Sequence, residues 1–349
     1  MLTARQLTRE GQSVLVMDQG SLGAESSWAG GGILSPLYPW RYPLAVSELA
    51  SYSASHYEAL AAELLAESGI DPEWTQSGLL ILDTDEQQQA RQWSEQFNTD
   101  MAIINSAKLA ALEPGLQSKA EQAFWLPAVA QMRNPRLVKA AIGSLKHYKV
   151  DIAEHEAVVA IDHENGKVTA VQTAQRRILA SRVVIAAGAW SAGLFKSIDT
   201  NLSVQPVRGQ MLVFDAKPGL LQHIILDQDR YLIPRLDGHI LIGSTLEYTG
   251  FDKSVTDQAK QELHQKAIDL LPELKNHKIE RHWSGLRPGT QSGVPYIGEH
   301  PEIKELYFNT GHFRNGVILG LASVQLLTDL IADRQPILDP DAFSLAADH

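Results

Sequence analysis

Asp18 closes the compact apolar run Val14–Met17, and a short amphipathic stretch, Leu2 to about Arg9, precedes that run across Gly11. A helix feeding a strand that ends on an acidic residue is half of a βαβ unit. In the dinucleotide-binding form of that unit the acidic side chain takes the ribose hydroxyls of an adenosine. Asp18 therefore stands where nucleotide binding would need it, with a solvated carboxylate at a strand end as the open alternative. The usual companions are missing, because the chain begins at the helix and carries neither a first strand nor a G-x-G-x-x-G turn. Gly30-Gly31-Gly32 is followed by Ile33, Leu34 and Ser35, so it lacks the third glycine of that fingerprint and reads as a loop that lets backbone approach closely.

Other chemistries find little support in the residue types. The 349 residues include no cysteine, which removes disulfides, cysteine-ligated zinc, iron–sulfur clusters and a thiolate nucleophile, and leaves the redox compartment undecided. The 12 histidines are scattered without H-E-x-x-H or paired-ligand spacing, and neither a G-x-S-x-G elbow nor a Walker loop occurs, so no metal site is expected. With 30 basic against 41 acidic residues the formal charge of −11 repels a phosphate backbone or an anionic membrane surface, which makes nucleic acid a poor partner. No continuous apolar segment near Met1 reads as a signal peptide. The runs Val183–Trp190 and Gly316–Leu327 fall short of the about 18 residues that span a bilayer. A cytoplasmic protein without a membrane partner is the expectation.

The elements that must position such residues alternate along the chain. After a proline- and aromatic-rich loop, Pro36 to Pro43, helical spacing runs from Leu44 to Ser68 and stops at Gly69. A strand over Leu79–Leu82, a polar helix over about Glu86–Phe97, a short strand near Ile103, a helix ending at Pro114 and a helix over about Pro135–Tyr148 follow. From Ala157 the period becomes two, with Asn165-Gly166 as a hairpin turn. The continuous apolar run Val183–Ala187 fits a strand buried in a parallel sheet, returning beside Val14–Met17. Strands are expected over Val204–Phe214, Ile224–Leu226, Tyr231–Pro234, His239–Ser244, Lys278–Leu286 and Leu306–Asn309, with helices over about Thr256–Leu271 and Val317–Ala332. No repeat or linker separates these blocks, so two domains are expected to interleave.

Seven segments, in order, resemble the D-amino-acid oxidase superfamily of FAD proteins. They are Val16-Met17-Asp18-Gln19-Gly20, Ser26 through Gly32, Val184–Trp190, Pro206 through Gln210, Tyr231-Leu232-Ile233-Pro234-Arg235, Gly285-Leu286-Arg287-Pro288-Gly289-Thr290 and Gly311-His312-Phe313-Arg314-Asn315-Gly316. The last two are most similar to the glycine oxidase branch, associated with bacterial thiamine synthesis. The resemblance implies a mixed α/β fold in which a Rossmann-like FAD-binding domain, residues 1–43, 135–205 and 285–349, interleaves with a substrate domain built on a mixed β-sheet, residues 44–134 and 206–284.

Carried over by position, the resemblance gives Asp18 to the adenosine ribose, Ser26, Ser27, Gly31, Gly32 and Ile33 to the flavin, and Val158 to the adenine. It gives His312, Phe313, Arg314, Asn315, Gly316, Val317 and Ile318 to the flavin ring. A helix starting there suits the anionic edge of a reduced flavin. Oxidation of a small amine requires its Cα–H bond aimed at flavin N5, and the planar fork of an arginine holds the accompanying carboxylate. Arg287 is the candidate clamp, with Tyr231 donating a hydrogen bond and Arg314 as a second contact. The implied reaction is oxidative deamination of glycine, sarcosine or small D-amino acids by hydride transfer without a dedicated side-chain base. O2 would be reduced to hydrogen peroxide, and the imine hydrolysed to glyoxylate and ammonia or handed to a thiazole synthase.

With no cysteine to form a thioether, FAD would be bound non-covalently. Leu246 would be a wall of the pocket and the Tyr38–Tyr42 loop an entrance lid. The departure from the family pattern lies at the start, where Met1 falls just after the last glycine of the missing fingerprint, about 15 residues short. Such an N-terminally truncated sheet would expose edges that promote a homo-oligomer. The alternatives are a flavin dehydrogenase that uses an acceptor other than O2, and a flavin-poor, inactive chain.

Overall fold

The computed structural model describes residues 1–347. Helix α1, Leu2–Arg9, turns Ala4 and the guanidinium of Arg5 inward and leads to strand β1, Leu15–Met17. β1 lies parallel to β5, Asp151–Ala153, with Leu15 opposite Asp151 and Met17 opposite Ala153. Between these two strands the chain makes a long excursion through helix α2, Ser26–Ala29, and the rest of its N-terminal half.

Strands β6, Val158–Glu164, and β7, Lys167–Thr173, form the hairpin expected at Asn165-Gly166. Both turn residues have positive φ, 51° and 71°, as the tight primed turn demands. β8, Arg177–Leu179, completes that sheet. β9, Val183–Ile185, is parallel as its apolar run suggests, but its neighbour is β16, Leu306–Thr310, rather than β1. A run of apolar residues reports burial and not the identity of the partner. β15, Tyr296–Glu299, pairs antiparallel on the other side of β16.

The large sheet has eight strands in the order β14-β10-β13-β12-β11-β2-β4-β3. Its members are β2, Leu79–Ile81, β3, Ala102–Asn105, β4, Gln122–Leu126, β10, Gln205–Phe214, β11, Ile224–Asp227, β12, Arg230–Pro234, β13, Ile240–Gly243, and β14, Ile279–Gly289. Only β11 and β2 run parallel, which makes the sheet mixed. The period of two along each strand sorts its residues between two cores. Leu212, Phe214, Leu232 and Ile242 pack on one face with Leu263 and Ala267 of α9, Asp257–Leu270. Met211, Tyr231, Ile233 and Leu241 point to the other face, where Ile33, Leu37, Tyr38 and Trp40 lie. Helices α5, Gln87–Gln96, and α6, Ser106–Leu112, connect the strands at the far end.

A separate helical core gathers α3, Leu44–Ala54, α4, Tyr57–Ser68, α7, Asn134–His147, and α10, Gly316–Ile331, while the short α8, Ser191–Lys196, packs Phe195 beneath β9 and β16. The helix expected as one piece from Leu44 to Ser68 is two, broken at Ser55-His56. There Ser55 Oγ and His56 Nδ1 turn back to the carbonyl of Tyr52 and compete with the helical ladder. Gly69 ends α4 with φ +70°, a left-handed cap that a side chain would strain. Among the described residues no helix is long and apolar enough to cross a membrane.

Candidate active site

One transverse row of the large sheet builds the floor of the site. Tyr231, Gly243, Met211 and Trp283 sit opposite one another on β12, β13, β10 and β14. A Cβ on Gly243 would stand 2.7 Å from the Tyr231 ring, so glycine is what lets the tyrosine lie flat across its neighbour strand. Its hydroxyl reaches 3.8 Å from Met211 Sδ.

Two residues along β14 from Gly285, on the same face as Trp283, comes Arg287. Its guanidinium lies over Gly209, where a Cβ would come within 2.1–2.4 Å of the guanidinium atoms. It donates to Ser244 Oγ at 2.6 Å and to the carbonyl of Thr245 at 3.2 Å, both neutral acceptors. Burial pulls its pKa below the usual arginine value, with the positive charge of Arg314 adding to that and the Tyr231 hydroxyl opposing it. Arg314 is half-buried and, among the described residues, its side chain has no hydrogen bond or ion pair. Glu247 acts on Arg287 only from a distance, since its carboxylate bonds Arg208 and Gln210, so the two cations lie near one another without a directly bonded carboxylate, an arrangement that an anionic ligand would complete.

The segment Ser26–Ile33 lies on this floor. Ala29 meets the bare backbone of Gly285, Gly31 meets Tyr231 and Ile233, and Ile33 packs in the same apolar cluster as Tyr231. Gly32 has φ +80°, and a Cβ there would fall 1.9 Å from the carbonyl oxygen of Met132. The amides of Gly30 to Ile33 donate no hydrogen bond among the described residues. Asn134 Nδ2 donates to the Ser27 carbonyl at 2.9 Å, while its Oδ1 is buried without a partner.

From the opposite side comes the turn His312–Asn315, tied to β14 by the Phe313 amide, which donates to the Pro288 carbonyl at 3.0 Å. Phe313 holds φ +44° to turn the chain into α10, whose first amides are uncapped by any side chain. Asn315 Nδ2 is buried without a partner. His312 Nε2 sits 3.0 Å from Ser323 Oγ, whose own proton goes to the Leu319 carbonyl, so Nε2 carries the imidazole proton. Burial lowers the His312 pKa to about 4, and the ring is neutral near pH 7. Val317 and Ile318 belong to the first turn of α10, where the Tyr57 hydroxyl donates to the Val317 carbonyl.

Asp18 and Val158 form a second neighbourhood around the end of β1. Asp18 Oδ1 accepts from the Gly20 amide at 2.9 Å, and the Glu156 amide donates to the Asp18 carbonyl. Val158 packs in the cluster that includes Met17. The sequence-derived candidates therefore divide into one group around Gly31, Gly32, Ile33, Tyr231, Arg287 and residues 312–318, and a second at Asp18 and Val158.

Some features differ from the sequence reading. The Tyr38–Tyr42 segment is no free lid, since Tyr38 is buried and Trp40 Nε1 and Arg41 Nε both donate to Glu86 of the α5 cap. Leu246 is 45% exposed, at the rim beyond Thr245. Asn134, Ser244, Trp283 and the two strand glycines Gly209 and Gly243 were not legible as site residues. Asn134-Pro135 reads simply as a helix start, and glycines in strands signal close approach without saying to what.

Glycine cradles, unbonded amides, orphaned Asn134 and Asn315 atoms and an open helix terminus are the fittings of a bound group with acceptor atoms on a flat body, which suits FAD. The FAD dependent oxidoreductase (DAO) family matches residues 1–330. The glycine oxidase of Pseudomonas aeruginosa is 44% identical over 99% of this chain and 95% of its own length. The crystal structure of glycine oxidase from Geobacillus kaustophilus superposes with a TM-score of 0.93 at 28% identity, covering 99% of this chain and 94% of that one. The bifunctional protein ThiO/ThiG of Synechocystis is 34% identical over 68% of this chain and 36% of its own. The chain is an enzyme of the DAO family of FAD-dependent oxidoreductases.

Proposed function

We propose that this enzyme oxidises glycine and other small amino acids of similar size, sarcosine and short D-amino acids among them. The carrying observation is the pair of guanidinium groups, Arg287 and Arg314, near Tyr231, neither of them hydrogen-bonded or ion-paired to a carboxylate among the described residues. A small carboxylate fits that vacancy of charge, and the names of the similar proteins supply the rest of the substrate.

In this reading Arg287 takes the carboxylate through its planar fork, and Ser244 and the Thr245 carbonyl keep the fork from rotating. Tyr231 donates to the carboxylate, and Arg314 supplies a second cation. With the carboxylate fixed, the directions open to the Cα–H bond are restricted. The chemistry FAD supplies when bound is acceptance of a hydride and return of two electrons to O2 as hydrogen peroxide. His312 holds one proton on Nε2 and spends it on Ser323, so it serves packing and not base catalysis. The substrate reacts as its neutral amine, and the imine hydrolyses to glyoxylate and ammonia.

The discontinuous division suggested by the sequence, residues 1–43, 135–205 and 285–349 for FAD and 44–134 and 206–284 for substrate, remains our proposal. Transfer of the imine to a thiazole synthase is supported by the fused relative. The reading is tested by glycine-dependent O2 uptake and peroxide release from the FAD-loaded enzyme, with sarcosine and D-alanine alongside. Turnover with an artificial electron acceptor and none with O2 would replace the oxidase by a dehydrogenase.

A further inference from the structure

Three of the four peptide groups from Ala29 to Ile33 are held by their carbonyls. Trp283 Nε1 donates to the Ala29 carbonyl at 3.0 Å, Arg235 Nη2 to the Gly31 carbonyl at 2.7 Å, and the Met132 amide to the Gly32 carbonyl at 2.9 Å. In a trans peptide the C=O and the following N–H point in opposite directions. Pinning those carbonyls onto the substrate sheet and the strand-like segment at Met132 therefore turns the amides of Gly30, Gly32 and Ile33 the other way. These amides donate to nothing among the described residues. With Gly32 at φ +80°, the successive N–H groups of Gly32 and Ile33 form a concave pair of donors suited to an acceptor atom.

Arg235 is the unusual member of this set. It ends the Tyr231–Arg235 segment, is 8% exposed, and has no carboxylate among its hydrogen-bond partners. It bonds to Gln131 Oε1, the Met132 carbonyl and the Gly31 carbonyl. Gln131 is fixed in turn by donating to Ser77 Oγ and the Pro234 carbonyl. Burying a cation solely to satisfy carbonyls is a costly way to stabilise a fold. What the cation does here is withdraw electron density from the Gly31–Gly32 peptide, which makes the Gly32 N–H a stronger donor on its far side.

We propose that Arg235, assisted by Trp283, is a positioning residue for FAD: it orients and polarises the Gly30–Ile33 amides that hold the flavin, without touching the flavin itself. The proposal rests on the FAD-dependent assignment and not on the identity of the amino-acid substrate.

The test is FAD retention by the holoenzyme, read as the dissociation constant from dilution with flavin fluorescence, together with the visible flavin spectrum and the melting temperature of the FAD-free protein. Arg235→Met is expected to loosen FAD at least tenfold and to shift the flavin absorption bands. Arg235→Lys, which keeps a charged donor, should recover part of that loss. Trp283→Phe keeps the ring, removes one pin, and should loosen FAD by several-fold. FAD constants within twofold of the parent in both Arg235→Met and Trp283→Phe would overturn the proposal while leaving the flavin assignment standing. A lowered melting temperature with unchanged FAD affinity would assign these residues to stability alone and overturn it as well. A parent protein that retains no FAD would overturn this inference and the assignment together.

Discussion

Replacing Arg287 by methionine removes the group to which the substrate carboxylate is assigned and leaves an unbranched side chain of similar reach. The guanidinium already gives one N–H to Ser244 Oγ and another to the Thr245 carbonyl, so its remaining donors face the space beside Tyr231. A hydrogen bond to a charged partner contributes about 1.5–3 kcal/mol, and truncating one side of a desolvated charge pair costs about 2–5 kcal/mol. Arg314 remains in place and supplies part of the field, which puts the expected loss at about 2–4 kcal/mol. That is roughly 30- to 700-fold in kcat/KM, at 1.4 kcal/mol per decade. Most of it should appear in KM, because the carboxylate is bound in ground and transition states alike. The assay is steady-state peroxide release against glycine concentration, with FAD content measured in the same samples. Arg287→Lys should fall between, since a point charge replaces a two-pronged fork. A KM within threefold of the parent in Arg287→Met, with full FAD content, would refute the assignment of the carboxylate to this residue.

Gly209→Ala places a Cβ within about 2.4 Å of the guanidinium and should raise KM for glycine about tenfold with the fold intact, as kinetics and circular dichroism would show. At Gly32, alanine meets both a positive φ and the Met132 carbonyl, so the holoenzyme should lose FAD, visible as loss of yellow colour on gel filtration. His312→Gln should keep kcat within tenfold when FAD is bound, because the imidazole is neutral and its proton is committed to Ser323; a far larger loss at unchanged FAD content would restore a base role. Glu67 provides a stability test. Burial opposes its ionisation, but hydrogen bonds from Arg5, Ser144 and Tyr148 outweigh that and hold its pKa at about 2. A folded-state pKa below the unfolded value near 4.5 stabilises the fold above pH 4.5, and that contribution is lost as pH falls toward 2. Its size is at most about 3 kcal/mol, at 1.36 kcal/mol per pH unit, and urea titrations across that window on parent and Glu67→Gln should converge at the acid end.

Local pattern carried most of the elements, because each needs only its own residues. The Asn165-Gly166 hairpin, the Gly69 cap and the strands over Val204–Phe214 and Tyr231–Pro234 were all readable that way. Pairing was not, since β9 is apolar enough to lie beside β1 or β16 and its sequence does not choose. Arg287, Tyr231 and Arg314, candidates taken from the family resemblance, lie near one another in the fold, and their roles remain our proposal. The residues that seat them, Ser244, Trp283, Gly209 and Gly243, come from strands distant in sequence and have no spacing to betray them. The Tyr38–Tyr42 segment was misread because proline and aromatics mark a loop without revealing that Glu86 pins it.

The most direct measurement is the visible spectrum of the FAD-loaded enzyme before and after glycine is added in the absence of oxygen. The Arg287 and Arg314 pair beside Tyr231 predicts bleaching of the flavin bands with a saturable dependence on glycine, reversed when air is admitted. A spectrum that stays oxidised with glycine, sarcosine and D-alanine while FAD remains bound would contradict the account.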